Sequence, residues 1–112
     1  MTKNFRIAYV TEASSHSFLP VLEECEEIRF ITTGYETDGD LPDIIASALE
    51  DYHPDIDVIL PVGRVATNLI VGIVAERKKI ETRSNCINIA FYRDRKYVIH
   101  SVTEFGIKNV TE

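Results

Sequence analysis

Apolar and polar positions along this chain alternate as strand, helix, strand, helix, strand, helix, and then two strands. FRIAYV (Phe5–Val10) is β-branched and aromatic, the mark of a strand. SFLPVLEEC (Ser17–Cys25) reads as a short helix, with Ser17 as N-cap and Pro20 in the first turn, where its missing N–H costs nothing. IRFITT (Ile28–Thr33) is a second strand, followed by the loop GYETDGD. Asp40 is placed to cap a second helix, LPDIIASALEDY, whose Leu41, Ile44, Ile45, Ala48, Leu49 and Tyr52 form one stripe before His53-Pro54 ends it. DVILPV (Asp57–Val62) is apolar on both faces, as a parallel strand covered on two sides requires. A third helix runs from about Arg64 to Lys79. INIAFYRDRKYVIHSV (Ile87–Val102) gives two alternating strands about a polar turn at Asp94-Arg95, an antiparallel hairpin. The order βαβαβαββ predicts one α/β domain over residues 1–112. The expected form is a Rossmann-like three-layer sandwich with a mostly parallel sheet, right-handed crossovers and a C-terminal antiparallel hairpin.

The third helix is apolar around most of its circumference. Val65, Ala66, Leu69, Ile70 and Ile73 form one face, and Val71, Val74 and Ala75 continue it, leaving only Asn68, Gly72, Glu76 and Lys79 as a polar stripe. Such a helix is buried on two sides. The second cover is either another copy of the chain, giving a homodimer through helix 64–79, or the C-terminal tail TEFGIKNVTE; the dimer is the favoured reading.

Charge and cysteine content narrow the function classes. The net charge of −6 argues against binding long nucleic acid, which needs a basic face to release counterions. It leaves room for a small phosphorylated ligand at a locally positive site. No apolar run is long enough for a membrane span, and MTKNFRIAYV passes directly into a strand pattern without a secretion leader. Cys25 and Cys86 are isolated thiols, as in a reducing cytoplasm. No His, Cys or carboxylate pair has metal-ligand spacing, so neither metal nor cofactor is expected. EECEE (Glu23–Glu27) reads as a solvated edge at the end of the first helix, and His53 and His100 as structural.

All three parallel strands run into small polar residues at their carboxyl ends: TEASSHS, TTGYET and PVGRVATN. In an open parallel sheet ligands bind at that edge, and the topology brings Ser14, Ser15, His16, Thr33, Gly34, Gly63, Arg64 and Thr67 to it. Gly63 allows a tight turn, the first N–H groups of the following helix, at Val65 and beyond, face an anion, and Arg64 can grip phosphate. PVGR alone reads more readily as a plain strand–helix turn, since no G-x-G-x-x-G or Lys-Ser/Thr follows; the polar ends of the other strands reverse that preference toward the anion cradle. His16 is either a general acid–base group or a solvated loop residue. Glu12 lies at the same edge, where it is read as a surface charge.

Ser15-His16 after the first strand, VILPVGRVATNLIVG with Gly63 and Thr67, and the closing hairpin resemble small stand-alone CRISPR-associated Rossmann-fold (CARF-like) proteins. Some of these are ring nucleases that cleave cyclic oligoadenylate. The resemblance implies a cyclic oligonucleotide lying across the two-fold axis of a dimer and a metal-free reaction in which a ribose 2′-hydroxyl attacks the adjacent phosphate. It also implies that Arg64 and the Gly63–Val65 backbone stabilise the phosphorane, that His16 transfers the proton, and that Ser14 or Ser15 positions the ribose, with Thr67 and Asn68 on the ligand side of the helix. Two further readings stay open. One is a module of the same fold that senses or sequesters a nucleotide without cleaving it. The other is a small-molecule enzyme subunit, since the Gly-turn strand, helix and KYVIHSV hairpin also resemble the N-terminal domain of a cobalamin-pathway hydrolase, without the Gly-rich segment after the hairpin.

Overall fold

A computed structural model describes residues 3–110. Eight elements organise it: β1 (Phe5–Glu12), β2 (Cys25–Thr32), α1 (Leu41–Ala48), β3 (Val58–Leu60), α2 (Val65–Thr82), β4 (Ile87–Arg93), β5 (Lys96–Thr103) and β6 (Gly106–Asn109). They form a compact α/β fold around a six-stranded mixed sheet in the order β2-β1-β3-β4-β5-β6. The first four strands in that order are parallel, and β5 and β6 are antiparallel. β3 is buried along its whole length, as its doubly apolar sequence requires. β2 pairs only with β1, and its exposed Glu26, Glu27 and Arg29 give it a charged edge.

Both α-helices pack on one face. Leu41 and Ile45 of α1, Leu49 just after it, and Val71 and Ala75 of α2 meet Ile7, Tyr9, Ile31 and Ile59 of the sheet. Among the described residues the other face carries only a single 3-10 turn, Leu19–Glu23, whose Val21 joins Phe18, Val10, Leu60, Ala90 and Ile99. The helix expected over Ser17–Cys25 is therefore this short turn, with Phe18 rather than Ser17 at its head and no side-chain cap. Reach explains the difference. β1 and β2 run parallel in register, Phe5 beside Cys25 and Glu12 beside Thr32, so the chain must return along an eight-residue strand. That is about 26 Å at the usual strand rise. The twelve residues between Glu12 and Cys25 cover only about 18 Å as a helix, so the connection stays extended. Cys25 opens β2 fully buried, and the second half of EECEE is strand rather than helix end.

Local signals hold better elsewhere. Pro42 sits in the first turn of α1, but Asp40 makes no capping bond; a 3-10 turn at Asp38–Asp40 leads in, and Asp40 instead accepts from Thr37 Oγ1 at 2.7 Å. Asp94 and Arg95 both take positive φ, 52° and 66°, the two-residue turn that matches strand twist. The C-terminal segment does not cover α2: Gly106–Asn109 adds β6 to the sheet beside β5, while Thr111 and Glu112 lie outside the described residues. The stripe Val65, Leu69, Ile73 and Ile80 on α2 is consequently open, each residue about two-thirds exposed or more.

Candidate functional site

The connection from β1 leads to β2 on one side of it, and the connections through α1 and α2 lead to β3 and β4 on the other. The carboxyl ends of β1 and β3 thus flank the point where the winding reverses, where open α/β sheets form a crevice. Glu12 ends β1, and Gly63 and Arg64 follow β3 there. Thr11 Oγ1 ties the two strand ends together, donating to the Val62 carbonyl and accepting the Val62 N–H, both at 2.7 Å. Thr32 Oγ1 adds β2 through the Thr11 carbonyl at 2.8 Å.

Where the sequence predicts an anion cradle, at the head of α2, one backbone N–H, one guanidinium N–H and one hydroxyl converge on the Glu12 carboxylate. The Arg64 backbone N–H donates to Glu12 Oε2 at 3.1 Å, Arg64 Nε to Glu12 Oε1 at 2.7 Å, and buried Thr67 Oγ1 to the same oxygen at 3.4 Å. Gly63, at φ +85°, makes the room: a Cβ there would lie 2.6 Å from Glu12 Cδ and 2.7 Å from Glu12 Cβ. Glu12 is 8% exposed. It is the centre of the site rather than a surface charge.

A second cradle faces the first. After β2 the chain turns on Gly34, at φ +95°, and wraps three donors around the Glu36 carboxylate: Thr33 N–H at 2.7 Å, Thr33 Oγ1 at 3.0 Å and Gly34 N–H at 3.0 Å. The Thr33 N–H above all, with the Thr33 hydroxyl and Gly34 N–H assisting, holds the Glu36 carboxyl down at about 2. One guanidinium spans both seats, since Arg64 Nη1 donates to the Glu36 carbonyl at 2.6 Å and Nη2 pairs with Glu36 Oε1 at 3.3 Å. Asp38 adds a third carboxylate at 3.8 Å. Arg64 is pushed above its ordinary value, first by its bond to Glu12.

The structure thus joins Thr33, Gly34, Gly63, Arg64 and Thr67 in one network. Asn68 supports it from behind, donating to the Val62 and Arg64 carbonyls at 2.9 and 2.8 Å, while its buried Oδ1 has no partner among the described residues. Asn68 also lines an apolar cleft of about 120 Å³ between α2 and the sheet, floored by Ile59, Ile87 and Ile89 and left open by Gly72. Val65 is exposed and belongs to the α2 stripe. Ser14, Ser15 and His16 share no hydrogen bond or ion pair with Arg64 among the described residues. Ser14 Oγ accepts the His16 backbone N–H at 3.2 Å, and the exposed His16 ring lies edge-on to Phe18 at 5.3 Å and Tyr92 at 5.2 Å. No group of three or more potential metal ligands occurs among the described residues.

Glu12 and Glu36 are the residues that pattern reading missed. Glu36 left a trace: Thr33-x-x-Glu36 has the spacing by which a hydroxyl residue and a Glu exchange bonds at a chain turn. Glu12 left none, since its partners are 52 residues away. Comparison of the chain with protein-family models, with curated proteins and with solved structures gives no match.

Proposed function

We propose that this chain is a Rossmann-like, CARF-like domain that binds a phosphorylated nucleotide at the carboxyl ends of its parallel strands, as a cytoplasmic homodimer, and senses or sequesters it rather than cleaving it. One observation carries the reading: two polar seats, each beside a left-handed glycine, hold two carboxylates bridged by a single guanidinium. A carboxylate in such a cup occupies the position of a phosphate oxygen. A ligand carrying two phosphates would exchange for Glu12 and Glu36 and keep Arg64 between them, and the cleft at Asn68 offers room for a flat apolar part beside the phosphates. One cation serves three carboxylates, so an incoming pair of phosphates would have to displace both seated acids to reach Arg64.

The exposed stripe Val65, Leu69, Ile73 and Ile80 supports the dimer, because an apolar face of this kind marks an interaction surface. The two free thiols accord with the cytoplasmic placement, and among the described residues no helix is long and apolar enough to cross a membrane. The edge-on packing of His16 between Phe18 and Tyr92 favours binding without turnover. The ring-nuclease reading keeps one point in its favour, that Ser14, Ser15 and His16 are exposed on the loop leaving β1 at the same edge as Arg64.

Thermal-shift titration tests the reading, using pyrophosphate, mononucleotides and cyclic di-, tri-, tetra- and hexa-adenylates against the unmodified chain, Arg64→Ala and Glu12→Gln. A ligand at a hundred times its Kd contributes about 2.7 kcal/mol, a shift of several degrees in a domain of this size. The expected result is a shift for one phosphorylated class, lost in Arg64→Ala and enlarged in Glu12→Gln. No shift for any nucleotide overturns the site. Product chromatography with the stabilising ligand separates binding from cleavage: turnover abolished by His16→Ala restores the nuclease. Leu69→Glu converts the dimer to monomer by light scattering, and a monomer in the unmodified chain removes the dimer.

A further inference from the structure

A larger cleft, of about 490 Å³, opens at the opposite end of the sheet, where the chain enters β4. Asn85, Cys86, Ser101, Phe105, Ile107 and Lys108 line it. Strand register sets its floor: Asn88 lies opposite Ser101, and Ser101 opposite Lys108, so three strands contribute one cross-sheet row. The Asn88 amide anchors this row. It is 4% exposed, donates through Nδ2 to the Pro54 carbonyl at 2.9 Å, and accepts at Oδ1 from Ser101 Oγ at 3.0 Å and Cys86 Sγ at 3.9 Å. The Ser101 proton is therefore committed, and what the polar side still offers an incoming group is donors on Lys108 and Asn85.

Lys108 makes no ion pair among the described residues, in a chain that carries an excess of acid. The apolar side is Phe105, 91% exposed at the turn between β5 and β6, since Ile107 follows Val102 onto the other face of the sheet. The volume lies within the range of small-molecule sites, and an uncovered apolar wall with a few convergent polar groups is their usual form. We propose that this cleft binds a small organic anion with an aromatic or branched apolar body, its carboxylate or sulfonate on Lys108 and Asn85 and its body against Phe105. The site is independent of the Glu12–Arg64–Glu36 network, lying beyond the amino end of β4 while that network lies beyond the carboxyl ends of β1 and β3.

The chain supplies its own reporter. Cys25 is buried, and burial pushes its thiol up to about 12, so alkylation reads the half-buried Cys86 on the cleft wall. The experiment titrates anilinonaphthalene sulfonate, an aromatic anion, into the folded chain and follows both its fluorescence and the rate of iodoacetamide reaction at Cys86. The expected result is one bound dye per chain and alkylation slowed roughly tenfold at saturation. Affinity should fall roughly tenfold in Lys108→Glu, return in Lys108→Arg, and stay unchanged in Leu69→Glu. Circular dichroism confirms that each variant is folded. Three outcomes overturn the proposal: no dye binding, alkylation indifferent to saturating dye, or binding lost in Leu69→Glu and kept in Lys108→Glu, which would place the dye on the α2 stripe.

Discussion

Two arginines clamp the two ends of this sheet, and they do so under opposite charge balance. At the amino end Arg6 meets Asp57, donating from Nε to Oδ1 at 2.9 Å and from Nη2 to Oδ2 at 2.7 Å. The Asp57 side chain is fully buried and takes two further donors, the N–H groups of Ile7 and His53. One cation faces one anion there, and every strong acceptor site is used. At the carboxyl end Arg64 is shared among Glu12, Glu36 and Asp38, whose side chains are 11%, 14% and 87% exposed. Both arrangements hold strands together, but only the first is balanced. A balanced buried pair has nothing to gain by opening. The carboxyl-end network instead carries surplus acid seated on N–H and hydroxyl donors, and under the proposed function a phosphate would compete for those seats.

Substitutions should divide the two ends in a definite order. Arg6→Ala leaves buried Asp57 without its cation and should cost about 3 kcal/mol, read as a lower urea midpoint. A loss equal to that of an exposed arginine would show that the amino-end clamp is no firmer than the surface. Gly63→Ala comes next, at about 1–3 kcal/mol, because alanine is strained at φ +85° and its Cβ meets Glu12. Combined with Glu12→Ala the cost should be less than the sum of the two, since most of the collision is with the carboxylate arm; strict additivity would mean that strain at Gly63 is purely conformational.

Acid titration should register the Glu36 seat at the carboxyl end. The folded Glu36 carboxyl lies at about 2 and its ordinary value is 4.5. The folded chain therefore binds this proton less readily than the unfolded chain. The stability it contributes is complete above 4.5 and is lost as pH falls through 2. Glu36→Gln should flatten the decline of the urea midpoint across that window, and parallel curves would show that the seat is not formed in solution. The smallest effect belongs to Glu12→Gln, about 1 kcal/mol or less, as the amide keeps an acceptor in the cup and lowers the acid surplus. Asp57→Asn should cost more, because no surplus exists there to relieve.

Much of the architecture was legible because it is written locally. The hairpin at Asp94-Arg95, the buried run Val58–Leu60, the Pro42 start of α1 and the turn on Gly63 all rest on neighbours within a few residues. The convergence of Thr33, Gly34, Gly63, Arg64 and Thr67 was legible too, since strand order alone puts loop ends together. The apolar surplus of α2 was visible as composition, but which side it faced was not.

By itself, then, the sequence determined the element order from β2 to β5, the turn chemistry and the edge at which polar loops meet, because periodicity and backbone preference act over one to four residues. Tertiary structure alone decided that the first connection would stay extended, that the tail would become β6, and that Glu12 and Asp57 would each find an arginine. Those partners are 52 and 51 residues apart in the chain. A charge at such a distance leaves no periodic trace; it is a surface residue or the centre of a site according to where the sheet carries it.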